Sequence, residues 1–265
     1  MRARRPEGEL TRGTTAPNRL RRMDRWIAAT QHARLRDRPL VVDLGYGASP
    51  ITAVELFARL RPLAPGLELV GLEIDPARVA LGRAYLDATP TPGLTFARGG
   101  FELPTARRPA LVRAANVLRQ YDEAVAWKTW DRLLTGIAPG GALVEGTCDE
   151  IGRRHVWVCL PEGTITFAAD VAALPQPSAL AERLPKTLIH RNRPGERVHD
   201  FLHDFDRAWA AAPRVFGARR RWIAAVELLA GDWPVFRHPP YGGRRRWGQG
   251  DVTLPFSALD PREPP

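Results

Sequence analysis

Over its first two thirds the chain alternates short apolar runs with stretches of helical spacing. Pro39–Asp43, Leu67–Ile74, Leu94–Ala97, Ala110–Ala115 and Ala142–Thr147 are mostly apolar runs that predict five strands. Between them, Ile51, Val54, Leu56, Phe57 and Leu60 recur at the spacing of one helix face, as do Ala77, Leu81, Ala84 and Tyr85, then Val125, Trp130, Leu133 and Leu134. Strands that alternate with helices pair in parallel through right-handed crossovers, so the pattern predicts an α/β doubly wound sheet. The rhythm then changes. His155–Leu160 and Thr164–Ala168 flank Pro161-Glu-Gly163, which reads as a hairpin. The expected sheet is therefore seven-stranded, mostly parallel, and ends in an antiparallel hairpin.

Helices are expected on both flanks. Asn18 is a plausible N-cap for a helix reaching about residue 34, with Leu20, Met23, Ile27 and Ala28 at helical spacing. From about residue 178 the chain again reads helical. Arg191–Gly195 forms a break, Val198, Phe201, Leu202 and Phe205 form an apolar stripe, and a further helix spans 213–230. Residues 231–265 read as an irregular tail holding one strand at Asp251–Pro255. Three segments follow: a basic arm and helix at 1–38, an α/β domain at 39–175, and a helical extension with a basic tail at 176–265.

Composition narrows the class. With 265 residues, 44% apolar and 26% charged, the chain has an ordinary globular make-up. No run approaches 18 consecutive apolar residues, and the first 30 residues carry arginines where a signal peptide needs an apolar core, so the expectation is a cytoplasmic chain with no membrane span. Cys148 and Cys159 fit neither a disulfide framework nor a zinc spacing, and His199 with His203 has no third ligand nearby, so no metal is expected. The net charge of +10 suggests nucleic acid, yet only Lys128 and Lys186 are lysines and the other 37 basic residues are arginine, a bias that codon usage also produces. Residues 1–38 hold eleven Arg against Glu7, Glu9, Asp24 and Asp37; residues 214–246 hold eight Arg against Glu227 and Asp232. The ends thus carry +7 and +6, and the middle is slightly acidic.

The chemistry points to the first glycine turn. A doubly wound sheet binds ligands beyond the carboxyl ends of its strands, where strand order reverses. That place is Asp43-Leu-Gly45-Tyr46-Gly47, whose glycines let backbone approach a ligand, and Glu73 ends the second strand where it can accept two ribose hydroxyls. Pro50 stands where a dinucleotide loop needs a small residue. Asp43 suits a ligand with an amino-acid ammonium.

Val41-Val-Asp-Leu-Gly-Tyr-Gly47 followed by Val70-Gly-Leu-Glu-Ile-Asp-Pro76 resembles the first two motifs of class I S-adenosylmethionine-dependent methyltransferases, and the likeness extends over roughly residues 39–170. It implies a Rossmann-like methyltransferase fold with S-adenosylmethionine as cofactor. By that resemblance Gly45 and Gly47 face the methionine part, Glu73 the ribose, Gly100 and Phe101 the adenine edge and Asn116 the sulfonium, with Asp43, Tyr46 and Ile74 also binding the cofactor. Gly100 stands where many members carry an acid, and Asn116-Val-Leu-Arg-Gln-Tyr-Asp122 matches neither loop of amino-group methylation.

Two side chains are candidates for chemistry. Tyr121 either orients an attacking group or packs. Cys148, in Thr147-Cys148, resembles the nucleophile of RNA cytosine-5 methyltransferases, but their second cysteine motif is lacking here, so its other reading is a small residue beside the pocket. The acceptor is either a small molecule or RNA (rRNA or tRNA) gripped by the basic ends, where Arg219-Arg-Arg221 and Arg244-Arg-Arg246 are interleaved with Trp222, Trp233 and Trp247. A noncatalytic binding module and a homodimer paired through the C-terminal helices are the remaining readings.

Overall fold

Eight strands form one sheet in the order β3-β2-β1-β4-β5-β6-β7-β8. They are β1 (Leu40–Leu44), β2 (Glu68–Glu73), β3 (Leu94–Arg98), β4 (Leu111–Ala115), β5 (Ala142–Cys148), β6 (Arg154–Leu160), β7 (Thr164–Ala169) and β8 (Asp251–Pro255). The first five pair in parallel and β6, β7 and β8 are antiparallel. This is a computed structural model that describes residues 5–215 and 217–261; Met1–Arg4 of the basic arm, Phe216 in the expected helix at 213–230, and Arg262–Pro265 of the tail lie outside the described residues. The architecture is the expected Rossmann-like one, with the hairpin β6–β7 at its end. An eighth strand joins the seven expected: β8 pairs Asp251 with Ala168 and Leu254 with Ile165, and the Thr166 and Thr253 hydroxyls hydrogen-bond across the pair at 2.9 Å.

The helices are α1 (Arg21–Thr30), α2 (Ile51–Leu60), α3 (Pro76–Ala88), α4 (Glu123–Gly136), α5 (Lys186–Ile189), α6 (Arg197–Ala211), α7 (Ala218–Asp232) and α8 (Arg244–Trp247). Asp75 starts α3 by accepting the Ala77 N–H at 2.8 Å, with Pro76 at the first helical position. Asn18 does not cap α1. Its backbone is left-handed (φ 60°), its N–H donates to Glu55 Oε1 and its carbonyl accepts from Arg21, so it closes a turn and the helix starts three residues later. The helix ends at Thr30, short of residue 34, with one 3₁₀ turn at His32–Arg34 behind it. The helical reading from 178 becomes a 3₁₀ segment at Pro177–Arg183 and the single turn α5, because Pro177 and Pro185 supply no N–H to an α-helical ladder.

Alternation along the strands builds two cores. Val41, Leu69, Leu111, Val144 and Trp157 share one core with Trp26 and Ile27 of α1 and Leu56 and Leu60 of α2. Val42, Val112, Leu143, Val158 and Phe167 face the other way, into a core with Trp130 of α4, Phe201 and Phe205 of α6, and Trp222 and Val226 of α7. The C-terminal segment therefore shares its packing with the strands of the 39–175 segment.

Candidate functional site

Strand order reverses between β1 and β4, and the crevice opens at their carboxyl ends. The turn after β1 depends on its glycines. Gly45 and Gly47 have φ of 67° and 91°; a Cβ on Gly45 would stand 2.8 Å from the Val117 side chain, and one on Gly47 2.8 Å from the Gly13 carbonyl oxygen. Glu73 is aimed at this turn. Its Oε2 accepts the Gly47 N–H at 3.1 Å and meets Arg78 Nη1 at 3.4 Å, while Oε1 accepts the Ile74 N–H at 2.9 Å. Ile74 lines the narrow slot beside it. Tyr46 contributes backbone to the crevice, because its ring packs on Phe96 and its hydroxyl donates to the Arg78 carbonyl at 2.9 Å.

Asp43 comes with a counter-charge that the sequence reading did not include. Arg113 of β4, fully buried, donates from Nε to Asp43 Oδ1 at 2.9 Å and from Nη2 to Oδ2 at 2.6 Å, and its Nη1 binds Asp24 of α1. Burial alone would pull this guanidinium down, but Asp43 and Asp24 outweigh it and hold it protonated. Asp43 thus lines the crevice as an acid already neutralised from behind. A carboxylate has about four lone-pair sites, so room for a further donor remains.

Asn116 and Cys148 form a pair at the ends of β4 and β5. Asn116 Nδ2 donates to Cys148 Sγ at 3.1 Å and its Oδ1 accepts the Cys148 N–H at 2.9 Å, with the Asn116 backbone left-handed (φ 61°). The Cys148 thiol is 1% exposed and burial pushes its pKa up, so it rests as a neutral thiol. Tyr121 packs against Phe101 with tilted rings 5.6 Å apart, and its hydroxyl accepts the Glu9 N–H at 2.5 Å. Gly100 and Phe101 sit together at the slot, and Glu102 accepts the Gly100 N–H at 3.1 Å.

Two spaces result. A cavity of about 510 Å³ is lined by the Gly45–Gly47 turn, Asp43, Asn116 and Cys148, and by four arginines, Arg12, Arg19, Arg119 and Arg183. Glu150 is the one carboxylate on that lining besides Asp43. Burial, with Arg183 and Arg12 nearby, pulls the Arg119 guanidinium below its ordinary value. The slot toward Gly100, Phe101 and Tyr121, by contrast, has about 20 Å³ free, room for a water and not for a purine. The N-terminal arm fills it: Glu7 O accepts the Phe101 N–H at 2.9 Å, Glu7 N–H donates to Glu102 Oε2 at 2.8 Å, and Gly13 O accepts the Ala48 N–H at 2.8 Å. Sequence alone did not place this arm in the slot or bring the four arginines together at the cavity. The arm is held through backbone carbonyls such as those of Thr11 and Gly13, which leave no periodic signal.

The arginine runs of the C-terminal region are only partly engaged inside the chain, with Arg219, Arg220, Arg244 and Arg245 exposed. Arg221 lies over the Trp209 ring at 3.8 Å, Arg244 pairs with Glu227 at 3.3 Å, and Arg246 is buried against Asp251 at 3.3 Å. Trp222 and Trp247 are 0% and 5% exposed, so neither offers a face to a base. No helix among the described residues is long and apolar enough to cross a membrane.

The solved structures similar to this chain include methyltransferases. Human N-acetylserotonin methyltransferase in complex with S-adenosylmethionine aligns over 46% of this chain and 33% of its own, at 21% identity and a TM-score of 0.36. Magnesium protoporphyrin IX methyltransferase from Synechocystis PCC 6803, with S-adenosylhomocysteine bound, aligns over 48% and 53%, at 18% identity and a TM-score of 0.38. A methyltransferase from Geobacter sulfurreducens, in complex with S-adenosylhomocysteine, aligns over 52% and 51%, at 15% identity and a TM-score of 0.36. This chain thus spans about a third to a half of the length of those proteins. No protein-family model and no curated protein matches it.

Proposed function

We propose that the protein transfers a methyl group from S-adenosylmethionine to a small acidic acceptor. The observation that carries this reading is the arginine-lined cavity opening directly beside the Gly45–Gly47 turn, where Asp43 and Glu73 end their strands. The residues fit the cofactor. Asp43 suits its ammonium, Glu73 its ribose hydroxyls, and the Phe101 N–H with the Glu102 carboxylate suits an adenine edge. When bound, the cofactor supplies an electrophilic sulfonium methyl.

The chain's own part is positioning. Asn116, locked to the Cys148 backbone, places a fixed amide at the floor of the cavity. Arg12, Arg119 and Arg183 bring like charge to the lining, offset in part by Glu182, and a carboxylate or phosphate on the acceptor would offset it further while holding its nucleophile in line. Alignment of this kind supplies most of the acceleration for a reactive donor, so no general base is required of the lining. A cavity of this size suits a small molecule.

Calorimetry with S-adenosylhomocysteine should give a binding isotherm that collapses in Glu73→Ala. With labelled donor and a small-molecule extract, the labelled product should be retained on an anion exchanger, and Arg119→Ala should lose the label while keeping cofactor affinity. Absence of heat both from the full chain and from a chain lacking residues 1–9 would sink the cofactor assignment; label confined to the unretained fraction would sink the acidic acceptor alone.

A further inference from the structure

The N-terminal arm enters the slot with a particular hydrogen-bonding pattern. Glu7 presents its N–H to the Glu102 carboxylate at 2.8 Å and its carbonyl to the Phe101 N–H at 2.9 Å, a donor beside an acceptor on one short edge. Adenine presents the same pair, an exocyclic amino donor flanked by a ring-nitrogen acceptor. Gly8 follows at a φ of +126°, and a Cβ there would lie 3.4 Å from both Phe101 and the Tyr121 hydroxyl, so its backbone rests against the aromatic pair where a purine face would lie. The fit is tight from the other side as well. A Cβ on Gly100 would stand 1.9 Å from the Glu7 carbonyl oxygen.

The arm is fastened at further points. Glu9 N–H donates to the Tyr121 hydroxyl, Gln120 Nε2 donates to the Glu9 carbonyl at 3.3 Å, Arg132 pairs with the Glu7 carboxylate at 3.1 Å, and Arg78 Nη2 donates to the Thr11 carbonyl at 2.9 Å. Arg78 also touches Glu73, so one guanidinium reports to both the arm and the ribose position. Glu7, Gly8 and Glu9 are thus held by groups that a nucleoside would need.

From this we infer that residues 7–9 are an internal stand-in for adenine, and that the cofactor binds only by displacing them. The inference rests on the cofactor reading above and adds a competition to it. Two ligands for one slot exclude each other, so the apparent affinity for the cofactor is the intrinsic affinity reduced by the fraction of molecules whose arm has left. Cofactor binding in turn frees the arm, whose Arg5 and Arg12 flank the displaced segment.

The test measures S-adenosylhomocysteine binding to the full chain, to Gly8→Val and to a chain lacking residues 1–9, together with deuterium exchange at residues 5–12. Valine at position 8 is strained at that φ and meets the Phe101 ring and the Tyr121 hydroxyl, so it unseats the arm without touching the sheet. Both altered chains should bind about tenfold tighter or more. In the full chain, ligand should speed exchange at Glu7 and Glu9, and a synthetic peptide of residues 5–16 should compete for the shortened chain. Equal affinities with unchanged exchange would overturn the competition and leave the cofactor reading standing. Binding to the shortened chain alone would support it most strongly, and binding to none of the three would remove both readings.

Discussion

Each face of the sheet buries a carboxylate from its central strands, and the two are treated in opposite ways. On the face covered by α1 and α2, Asp43 is 1% exposed and meets the bidentate guanidinium of Arg113, which Asp24 holds from its other side and Arg59 supports through Asp24 at 3.2 Å. On the face covered by α4, Glu145 is equally buried and has one donor, the Trp130 indole N–H at 3.1 Å; its Oε1 has no partner among the described residues. Trp127, Trp130 and Phe256 surround that face with aromatic edges. Burial therefore pushes the Glu145 pKa up to about 8, and it carries a proton at neutral pH. The difference teaches that one sheet can bury a carboxylate against a guanidinium on one face and among aromatic edges on the other, and the ion-paired one lines the crevice.

The largest expected effect comes from removing that cation. Arg113→Ala leaves Asp43 without its counter-charge and Asp24 with Arg59 alone, and should cost about 3–5 kcal/mol in denaturant unfolding. A loss under about 1 kcal/mol would mean that the acids shed their charge freely, and the contrast would collapse.

Glu145 sharpens the comparison through pH. Its folded pKa lies above the unfolded value near 4.5, so its contribution is fully present below about pH 4.5 and is lost as pH rises through 8. Between pH 5 and pH 8 the wild-type chain should lose about 3 kcal/mol from this group alone. Glu145→Gln keeps an acceptor for Trp130 without an ionisable group, and unfolding curves across that range should flatten. A wild-type curve already flat would refute the buried neutral acid.

The smallest effect concerns the single donor. Trp130→Phe preserves most of the aromatic volume and deletes the indole N–H, which should cost about 1 kcal/mol at pH 6 and shift the alkaline loss to lower stability still. Unchanged stability would show that Glu145 is satisfied in some other way.

Much of the fold was legible. The five parallel strands and the hairpin could be placed from apolar runs because strands buried on both faces are continuous in sequence. Asp43, Gly45, Gly47 and Glu73 could be picked out because each ends a strand or turns after one. Arg113 was visible only as an anomaly, a lone arginine within an apolar run, and nothing local named Asp24, 89 residues away, as its partner. The arm at 5–16 read as a polar appendage because its contacts are made by backbone N–H and carbonyl groups, which every residue carries and no pattern reveals. Tryptophans beside arginines looked like stacking platforms until packing placed Trp222 and Trp247 inside.

What the chain determined by itself is the set of elements and the place where they open: periodicity and glycine turns are local, and local sterics settle them. What fills that opening was decided only in three dimensions. A peptide edge at Glu7, a carboxylate at Glu102 and an amide at Phe101 meet across some 95 residues, and hydrogen bonding between such distant groups depends on how the strands pack and on nothing written near any one of them.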